Sequence, residues 1–322
     1  MDEKEFEVTQ PKFHRFLSHA FKQGRVSQAY MLYGSPRCNF LETSHFLAKS
    51  LFCQKGGLAC GTCQECTRFD QNVHPDFLEV DGFGGNVKKG DIENIRDFFA
   101  MSSVENGTKR GAYLISECGN MTEEAANSLL KFLEEPALGI TAILTTSNIE
   151  GVLPTLVSRC ETIKLEPRPR EKVFAYLSKN QAPELSYFLS DYSGDKERLD
   201  KIANDEGYRT SVALANDFIL SMGQGRQAAA FTLLNAAAAD LPGSQCYNWF
   251  YGNVSRFLGD AIAQTGLFGP YGNVIKAFGL KHKRLAGMMA TFLAESIRMS
   301  GANLSFTGVL AQLAQMLLRK DL

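Results

Sequence analysis

The sequence predicts an α/β domain built on a parallel sheet, followed by a second half that is entirely helical. Strands that alternate with helices indicate parallel pairing, because the crossover helices cover the faces of the sheet. After residue 170 the apolar residues recur only at helical spacing. The predicted strands lie at residues 29–33, 77–80, 111–116 and 142–148.

Composition and charge limit the classes of protein that fit. The 322 residues suggest two or three domains, and 44% hydrophobic with 21% charged residues is typical of a globular protein. The net charge of −1 argues against a chain that grips nucleic acid through a wholly basic surface. No apolar run approaches the roughly 18 residues of a membrane span, and the charged start lacks a signal-peptide core. We therefore expect a cytoplasmic protein without a membrane partner.

The first strand is followed by a loop and then a helix over residues 41–52, which is the frame of a phosphate-binding loop. In the pattern G-x-x-x-x-G-K-[ST], Gly34 fits the first glycine, whereas Asn39 replaces the second. Phe40 replaces the lysine that faces the phosphates, and Leu41 replaces the hydroxyl that binds magnesium. We expect a loop kept for packing, with a weak nucleotide site as the alternative.

The later strands end in residues that support the same view. A working ATPase of this build ends its third strand in Asp-Glu, for magnesium and for the attacking water. Here Ser116 occupies the first of these places and Glu117 the second. Residues 145–148 give the fourth strand a polar end, where a nucleotide edge would lie.

Four cysteines in the pattern C-x6-C-x2-C-x2-C predict a metal site. Four thiolates suit tetrahedral zinc, and the two-residue gaps allow neighbouring cysteines to converge on one ion. A structural role is expected, because four protein ligands leave no open position for water. Unpaired cysteines at a helix end are the alternative, and His74 is either a further ligand or part of a turn. The four cysteines are Cys53, Cys60, Cys63 and Cys66.

A central helix is predicted between Thr122, which would cap it, and Pro136, which would end it. Lys131 and Glu135 lie four residues apart and would form a surface ion pair. The predicted buried stripe consists of Ala126, Leu129, Leu130 and Leu133.

Four segments of the chain resemble the bacterial clamp-loader subunits of the AAA+ class, over about residues 13–166. These segments are Cys60–Cys66, His74–Asp76, Ala125–Pro136 and Leu153–Cys160. The resemblance implies a RecA-like AAA+ domain with a zinc-binding module at residues 1–166. A small helical lid at 167–207 and an all-α collar at 208–322, which joins five subunits, would follow it.

Ser158, Arg159 and Cys160 match the S-R-C motif of that family, whose arginine reaches into the ATP site of a neighbouring subunit. A guanidinium is always charged, planar and fork-shaped, so it can stabilise charge that develops on a transferring phosphoryl group. The alternative for Arg159 is a structural salt bridge.

The resemblance implies a function in DNA replication. The chain would be a subunit of the DNA polymerase III clamp loader that neither binds ATP nor has an activity of its own. Its partners would be ATP-binding gamma/tau-type and delta-type subunits in a hetero-pentamer, together with the sliding clamp and primed-template DNA. An active ATPase subunit with an atypical loop is the alternative. A stand-alone zinc protein that binds DNA is disfavoured by the near-neutral charge.

Overall fold

The computed structural model describes residues 1–83, 85–102, 110–134, 139–236, 244–299 and 305–319. The chain forms two compact units, Met1–Arg168 and Pro169–Leu322. The change from mixed to purely helical structure coincides with this division. The finer division into three domains stays a prediction.

The first unit alternates strands and helices as the sequence predicts. Its helices are α1 (Glu3–Thr9), α2 (Pro11–Lys22), α3 (Phe40–Phe52), α4 (Gln64–Asp70), α5 (Lys89–Ser102), α6 (Glu123–Glu134) and α7 (Pro154–Val157). Its strands are β1 (Ala29–Tyr33), β2 (Phe77–Asp81), β3 (Gly111–Ser116), β4 (Ile140–Thr146) and β5 (Glu161–Lys164).

The strands form one parallel sheet in the order β2-β3-β4-β1-β5. This is an α/β domain, as the sequence predicts. The sequence prediction missed β5, because this edge strand has four residues and three of them are exposed. Since the strands are parallel, the carboxyl ends of β1, β3 and β4 meet at one edge. The loops that begin at Gly34, Glu117 and Ser147 therefore follow neighbouring strands.

Side chains of β1 alternate between two cores, one on each face of the sheet. Tyr30 and Leu32 pack with α2 and α3 on one face, while Met31 packs with α5 and α6 on the other. Alternation of this kind follows from the two-residue period of a strand. Both faces are covered, so the strand is apolar along its length, as predicted for β1.

The central helix α6 begins as predicted, with the Thr122 hydroxyl accepting a hydrogen bond from the Ala125 amide at 3.2 Å. Ala126 and Leu129 are buried, whereas Leu130 and Leu133 are half-buried at the edge of the same core. The predicted helix end at Pro136 and the predicted pair of Lys131 with Glu135 involve residues outside the described ranges.

The second unit is helical throughout its described residues. Its helices are α8 (Arg170–Leu177), α9 (Pro183–Leu189), α10 (Lys196–Ala203), α11 (Glu206–Gln224), α12 (Arg226–Ala236), α13 (Ser244–Ala263), α14 (Gly272–Arg298) and α15 (Phe306–Leu318). Ser305 caps α15 by accepting a hydrogen bond from the Gly308 amide at 3.0 Å. No helix within the described ranges is both long and apolar enough to cross a membrane.

A buried polar cluster joins α8 to α13 within the second unit. Arg170 Nη1 lies 2.6 Å from Asp260 Oδ2, and both side chains are largely buried. The Tyr187 hydroxyl donates to the same carboxylate, and the Thr265 hydroxyl donates to Asp260 Oδ1 at 2.7 Å. Ser190 completes the cluster by accepting from Arg170 Nε at 3.0 Å. Burial by itself would lower the pKa of Arg170, but the charge of Asp260 raises that pKa overall.

Candidate functional site

The loop after β1 is tightly packed at the place where a phosphate-binding loop would surround a cleft. Cys38 is fully buried, and its Sγ lies 3.5 Å from the carbonyl oxygen of Leu165, which follows β5. A Cβ added to Gly34 would lie 2.6 Å from Cys38 Sγ and 3.1 Å from that carbonyl oxygen. Only glycine fits at position 34, and here the reason is internal packing.

Asn39, which stands in the place of the second glycine, forms side-chain hydrogen bonds with other residues of the same chain. Its Oδ1 accepts hydrogen bonds from Gln10 Nε2 at 3.2 Å and from the Thr43 hydroxyl at 3.3 Å. Gln10 also donates to the Glu166 carbonyl oxygen and accepts from the Glu166 amide, both at 2.8 Å. The buried amide of Gln10 therefore ties the segment before α2 to the loop and to the chain after β5.

Phe40 and Leu41 lie in the core rather than facing a ligand. The Phe40 side chain is only 1% exposed and belongs to the core between α3 and the sheet. Leu41 is half-buried against the same core. The substitutions that remove lysine and hydroxyl from the loop thus fill space and contribute burial of apolar surface.

Glu117 is withdrawn into the protein. Its side chain is 9% exposed, and its Oε2 accepts hydrogen bonds from both the amide and the hydroxyl of Ser147 at 3.0 Å. Its backbone is left-handed, with φ of 46°, and its amide donates to the Thr145 hydroxyl at 3.2 Å. A carboxylate engaged by two donors of the neighbouring loop is poorly placed to activate a water molecule. Ser116 is buried beside it.

Arg159 lies on the surface, on the connection between α7 and β5. Its side chain is 37% exposed. Nη2 lies 2.5 Å from Glu134 Oε1, at the end of α6, and Nη1 donates to the Thr155 carbonyl oxygen at 2.9 Å. The salt bridge that was the alternative reading of Arg159 is thus present, yet it is exposed and engages only part of the guanidinium.

The position of Arg159 in the sheet separates it from the phosphate loop of its own chain. Arg159 precedes β5, so it lies at the amino-end edge of the parallel sheet, whereas Gly34 follows β1 at the carboxyl-end edge. The five residues of β1 span roughly 16 Å at about 3.3 Å per residue. Arg159 therefore projects from the opposite side of the domain.

The residues that flank Arg159 shape the turn. The Ser158 hydroxyl donates to the Thr155 carbonyl oxygen at 3.1 Å, and the backbone amides of Arg159 and Cys160 continue the turn of α7. Burial raises the pKa of Cys160 to about 12, so this side chain remains a thiol at neutral pH. Neither group is placed to react.

The four predicted metal ligands converge in one place. The Sγ atoms of Cys53, Cys60, Cys63 and Cys66 all lie within 4.8 Å of one another. Tetrahedral zinc with Zn–S bonds of about 2.3 Å requires S···S separations of roughly 3.8 Å, so the donor set fits a metal with small adjustments. Cys53 follows α3 directly, and Gly56 and Gly61 adopt left-handed backbone conformations with φ of 71° and 68°.

The environments of Cys60 and Cys66 shift the pKa values of these two thiols in opposite directions. Hydrogen bonds from the side chain and then the backbone of Thr62 lower the pKa of Cys60 to about 5. Burial raises the pKa of Cys66 to about 12. A divalent cation stabilises the thiolate of each ligand, which offsets the cost of ionising the buried one.

His74 is packed beside the cysteine cluster but is not one of its members. Its ring lies 3.8 Å from the ring of Phe52, and Nε2 lies 3.2 Å from the Glu65 carboxylate, within ion-pair distance but outside hydrogen-bond geometry. Burial lowers the pKa of His74, and the Glu65 charge opposes that shift. The predicted turn describes this residue better than the role of a further ligand, and strand β2 begins three residues later.

Two functional contacts were missed by sequence reasoning. Gln10 closes the loop region from 29 residues away, and Glu134 contacts Arg159 across 25 residues. Glutamine before a helix and glutamate at a helix end are common and carry no signal of such contacts. Only the crossing of the chain segments over the sheet brings these partners together.

Comparison with known proteins identifies the family of the chain. A family model described as DNA polymerase III, delta subunit, matches residues 9–169. DNA polymerase III subunit delta' of Bacillus subtilis is 33% identical over 206 residues, which is 63% of this chain and 62% of that protein. The delta' subunit of Haemophilus influenzae is 27% identical over 56% of this chain and 55% of that protein. Subunit gamma of Buchnera aphidicola is 31% identical over 50% of this chain and 44% of that protein.

The matched regions span less than two thirds of the length of each of these relatives. Among solved structures, a gamma subunit-related protein of Thermotoga maritima aligns over 94% of this chain and 97% of that one. It has 19% identity and a TM-score of 0.45, a similarity too low to add to the assignment. The family model alone covers half of the chain, and two of the relatives are delta' subunits. The chain therefore belongs to the delta prime family of DNA polymerase III clamp-loader subunits.

Proposed function

We propose that this chain is a clamp-loader subunit that does not hydrolyse ATP and that supplies Arg159 to the ATP site of a neighbouring subunit. The observation that carries the proposal is the separation of Arg159 from the phosphate loop of its own chain, at opposite edges of the sheet. An arginine at that edge can serve only a nucleotide held by another chain. Its exposed, planar fork suits the oxygens of a transferring phosphoryl group.

The closed loop region supports the first half of the proposal. A phosphate loop works by presenting backbone amides and a lysine to an open cleft. Here Gln10 and Cys38 occupy the region, Phe40 lies in the core, and Glu117 is engaged by Ser147. Each of the three parts of an ATPase site is used for packing or for internal hydrogen bonds.

The proposed partners are ATP-binding gamma/tau-type and delta-type subunits in a hetero-pentamer. The complex would open the sliding clamp and place it on primed-template DNA. Within it, the lid at 167–207 and the collar at 208–322 would join this subunit to the ring, and the metal of the cysteine cluster would be structural Zn²⁺. Four thiolate donors favour zinc, and a closed set of protein ligands favours a structural role.

The direct test is Arg159→Ala in a reconstituted loader. The ring should still assemble, because Arg159 lies outside the core, while ATP hydrolysis stimulated by DNA and clamp should fall. Arginine fingers supplied in trans contribute on the order of 10³ to 10⁵ in rate in GTPases, so single-turnover hydrolysis at the facing site should lose about 10³-fold. Arg159→Lys should recover little, because an ammonium lacks the planar fork.

Arg25→Ala is a matched control, since Arg25 is an exposed arginine of the same unit. It should leave hydrolysis unchanged. Full stimulated hydrolysis by the Arg159→Ala complex would exclude the trans role.

The second candidate function is nucleotide binding through the atypical loop. One observation favours it: the Ser35 hydroxyl and Asn39 Nδ2 are buried donors without a hydrogen-bond partner among the described residues. Equilibrium binding of ATP to the isolated chain separates the two functions. Tight magnesium-dependent binding would favour an active subunit, whereas its absence supports the silent site.

A further inference from the structure

The chain holds Arg159 by a contact with Glu134, which lies outside the S-R-C motif. Glu134 is the last described residue of α6, and its carboxylate contacts Arg159 Nη2 at 2.5 Å. The Thr155 carbonyl oxygen accepts from Nη1 at 2.9 Å. The guanidinium is thus held from two sides, by α6 and by the first turn of its own segment.

The two contacts leave most of the fork unused. A guanidinium carries five N–H groups, and these hydrogen bonds involve one on each terminal nitrogen. Nε–H and the remaining N–H groups have no partner among the described residues. Arg159 can therefore bind a phosphate while Glu134 and Thr155 still hold it, so the contacts orient the guanidinium without occupying it.

The helix that carries Glu134 is packed on the core beneath it. Ala126 and Leu129 of α6 belong to the same core cluster as Val152 and Leu156, which lie in the segment that leads to Arg159. Helix α6 and the segment before β5 are thus packed as one body. This packing places the backbone of Glu134 relative to the backbone of Arg159, and the Glu134 carboxylate is within hydrogen-bond distance of the guanidinium.

We propose that Glu134 is a positioning residue that orients Arg159 for the phosphate of the neighbouring subunit. The inference rests on the proposed trans role of Arg159 and names the group that presets its geometry. A flexible arginine side chain loses rotamer freedom when it binds, and an oriented one has lost part of that freedom beforehand. Orientation of Arg159 should raise the rate of the hydrolysis step, because misplacement of a catalytic group by about 1 Å can lower that rate by up to about 100-fold.

The effect of Glu134 is expected to be modest, because the ion pair is exposed. Exposed pairs of this kind contribute about 0.2–1 kcal/mol, which corresponds to about 1.4- to 5-fold in an equilibrium. Glu134→Ala should therefore lower the single-turnover rate at the facing site by about 1.4- to 5-fold, with little change in the ATP concentration that gives half the rate. Glu134→Gln keeps an acceptor oxygen and should fall between the parent chain and Glu134→Ala.

A double-mutant cycle in the assembled loader tests whether Glu134 acts through Arg159. Glu134→Ala should have no further effect in the Arg159→Ala background, because the group that it orients is gone. An equal loss in both backgrounds would overturn the proposal. Glu124→Ala is the matched control, since Glu124 is an exposed carboxylate in the first turn of the same helix.

A second measurement does not depend on ATP hydrolysis, so it tests the contact between Glu134 and Arg159 separately from the trans role of Arg159. The rate at which an arginine-selective dicarbonyl modifies Arg159 in the intact chain should rise about 1.4- to 5-fold in Glu134→Ala, read by peptide mass mapping, with Arg25 as internal reference. An unchanged rate would overturn the holding contact. Faster modification together with full hydrolysis by Arg159→Ala would uphold the contact and reject the trans role instead.

Discussion

Phe40→Lys restores the lysine of the phosphate-loop pattern, yet we expect it to damage the fold and to leave ATP binding absent. The reason is the place of Phe40, which is 1% exposed in the core between α3 and the sheet. Removing a buried phenyl ring costs about 3–5 kcal/mol, and an unpaired ammonium in its place adds to that loss. The lysine stem recovers part of the apolar contact, so we expect a net loss of at least about 4 kcal/mol.

The assay combines stability with binding. A loss of about 4 kcal/mol lowers Tm by about 8–16 °C for a domain of this size. Hydrogen exchange of the β1 and α3 amides localises the loss to the first unit, and equilibrium titration measures magnesium–ATP binding. Phe40→Leu is the control, because it keeps an apolar group and should cost about 1–2 kcal/mol.

One result would refute this reasoning about Phe40. If Phe40→Lys stayed within about 1 kcal/mol of the parent chain and bound ATP with micromolar affinity, the loop would be an open site that lacks only its lysine. The closed arrangement around Gln10 and Cys38 would then yield readily to a ligand, and the alternative of an atypical ATPase would be favoured.

Two further predictions concern the buried polar cluster and the cysteine cluster. Asp260→Ala leaves the Arg170 guanidinium buried without its ion pair and should lower the free energy of unfolding, measured in urea, by about 3–5 kcal/mol. The paired change Arg170→Met with Asp260→Leu should recover most of that free energy. A loss below about 1 kcal/mol for Asp260→Ala would contradict the structure, and Asp200→Ala, at an exposed aspartate, is the control. Elemental analysis should find about one zinc ion per chain. In Cys53→Ser the chain should lose zinc to a chelator more readily, because Cys53 completes the set of four thiolates. Unchanged retention of zinc in this variant would show that Cys53 is not a ligand.

The sequence predicted the alternation of strands and helices because burial on both faces makes each central strand an apolar run. It missed β5, because the four residues of this strand are mostly exposed and form no apolar run. This segment is a strand because it pairs with β1. It also predicted a silent phosphate loop from the residues at positions 39–41. The silence of the loop stays a prediction, and the structure shows that the residues at these positions fill the core or bind Gln10.

The sequence by itself determined which chemical groups the chain carries: four thiols at metal-binding spacing, a loop without lysine or hydroxyl, and an arginine between a serine and a cysteine. These depend on residue type and local spacing, which the sequence states directly. Only the tertiary structure decided which groups meet, because contacts such as Glu134 with Arg159 join residues 25 positions apart through the crossing of α6 and the β4–β5 connection over the sheet. The same parallel order of strands places Arg159 at the edge opposite its own phosphate loop, so its separation from that loop is a property of the fold rather than of the motif.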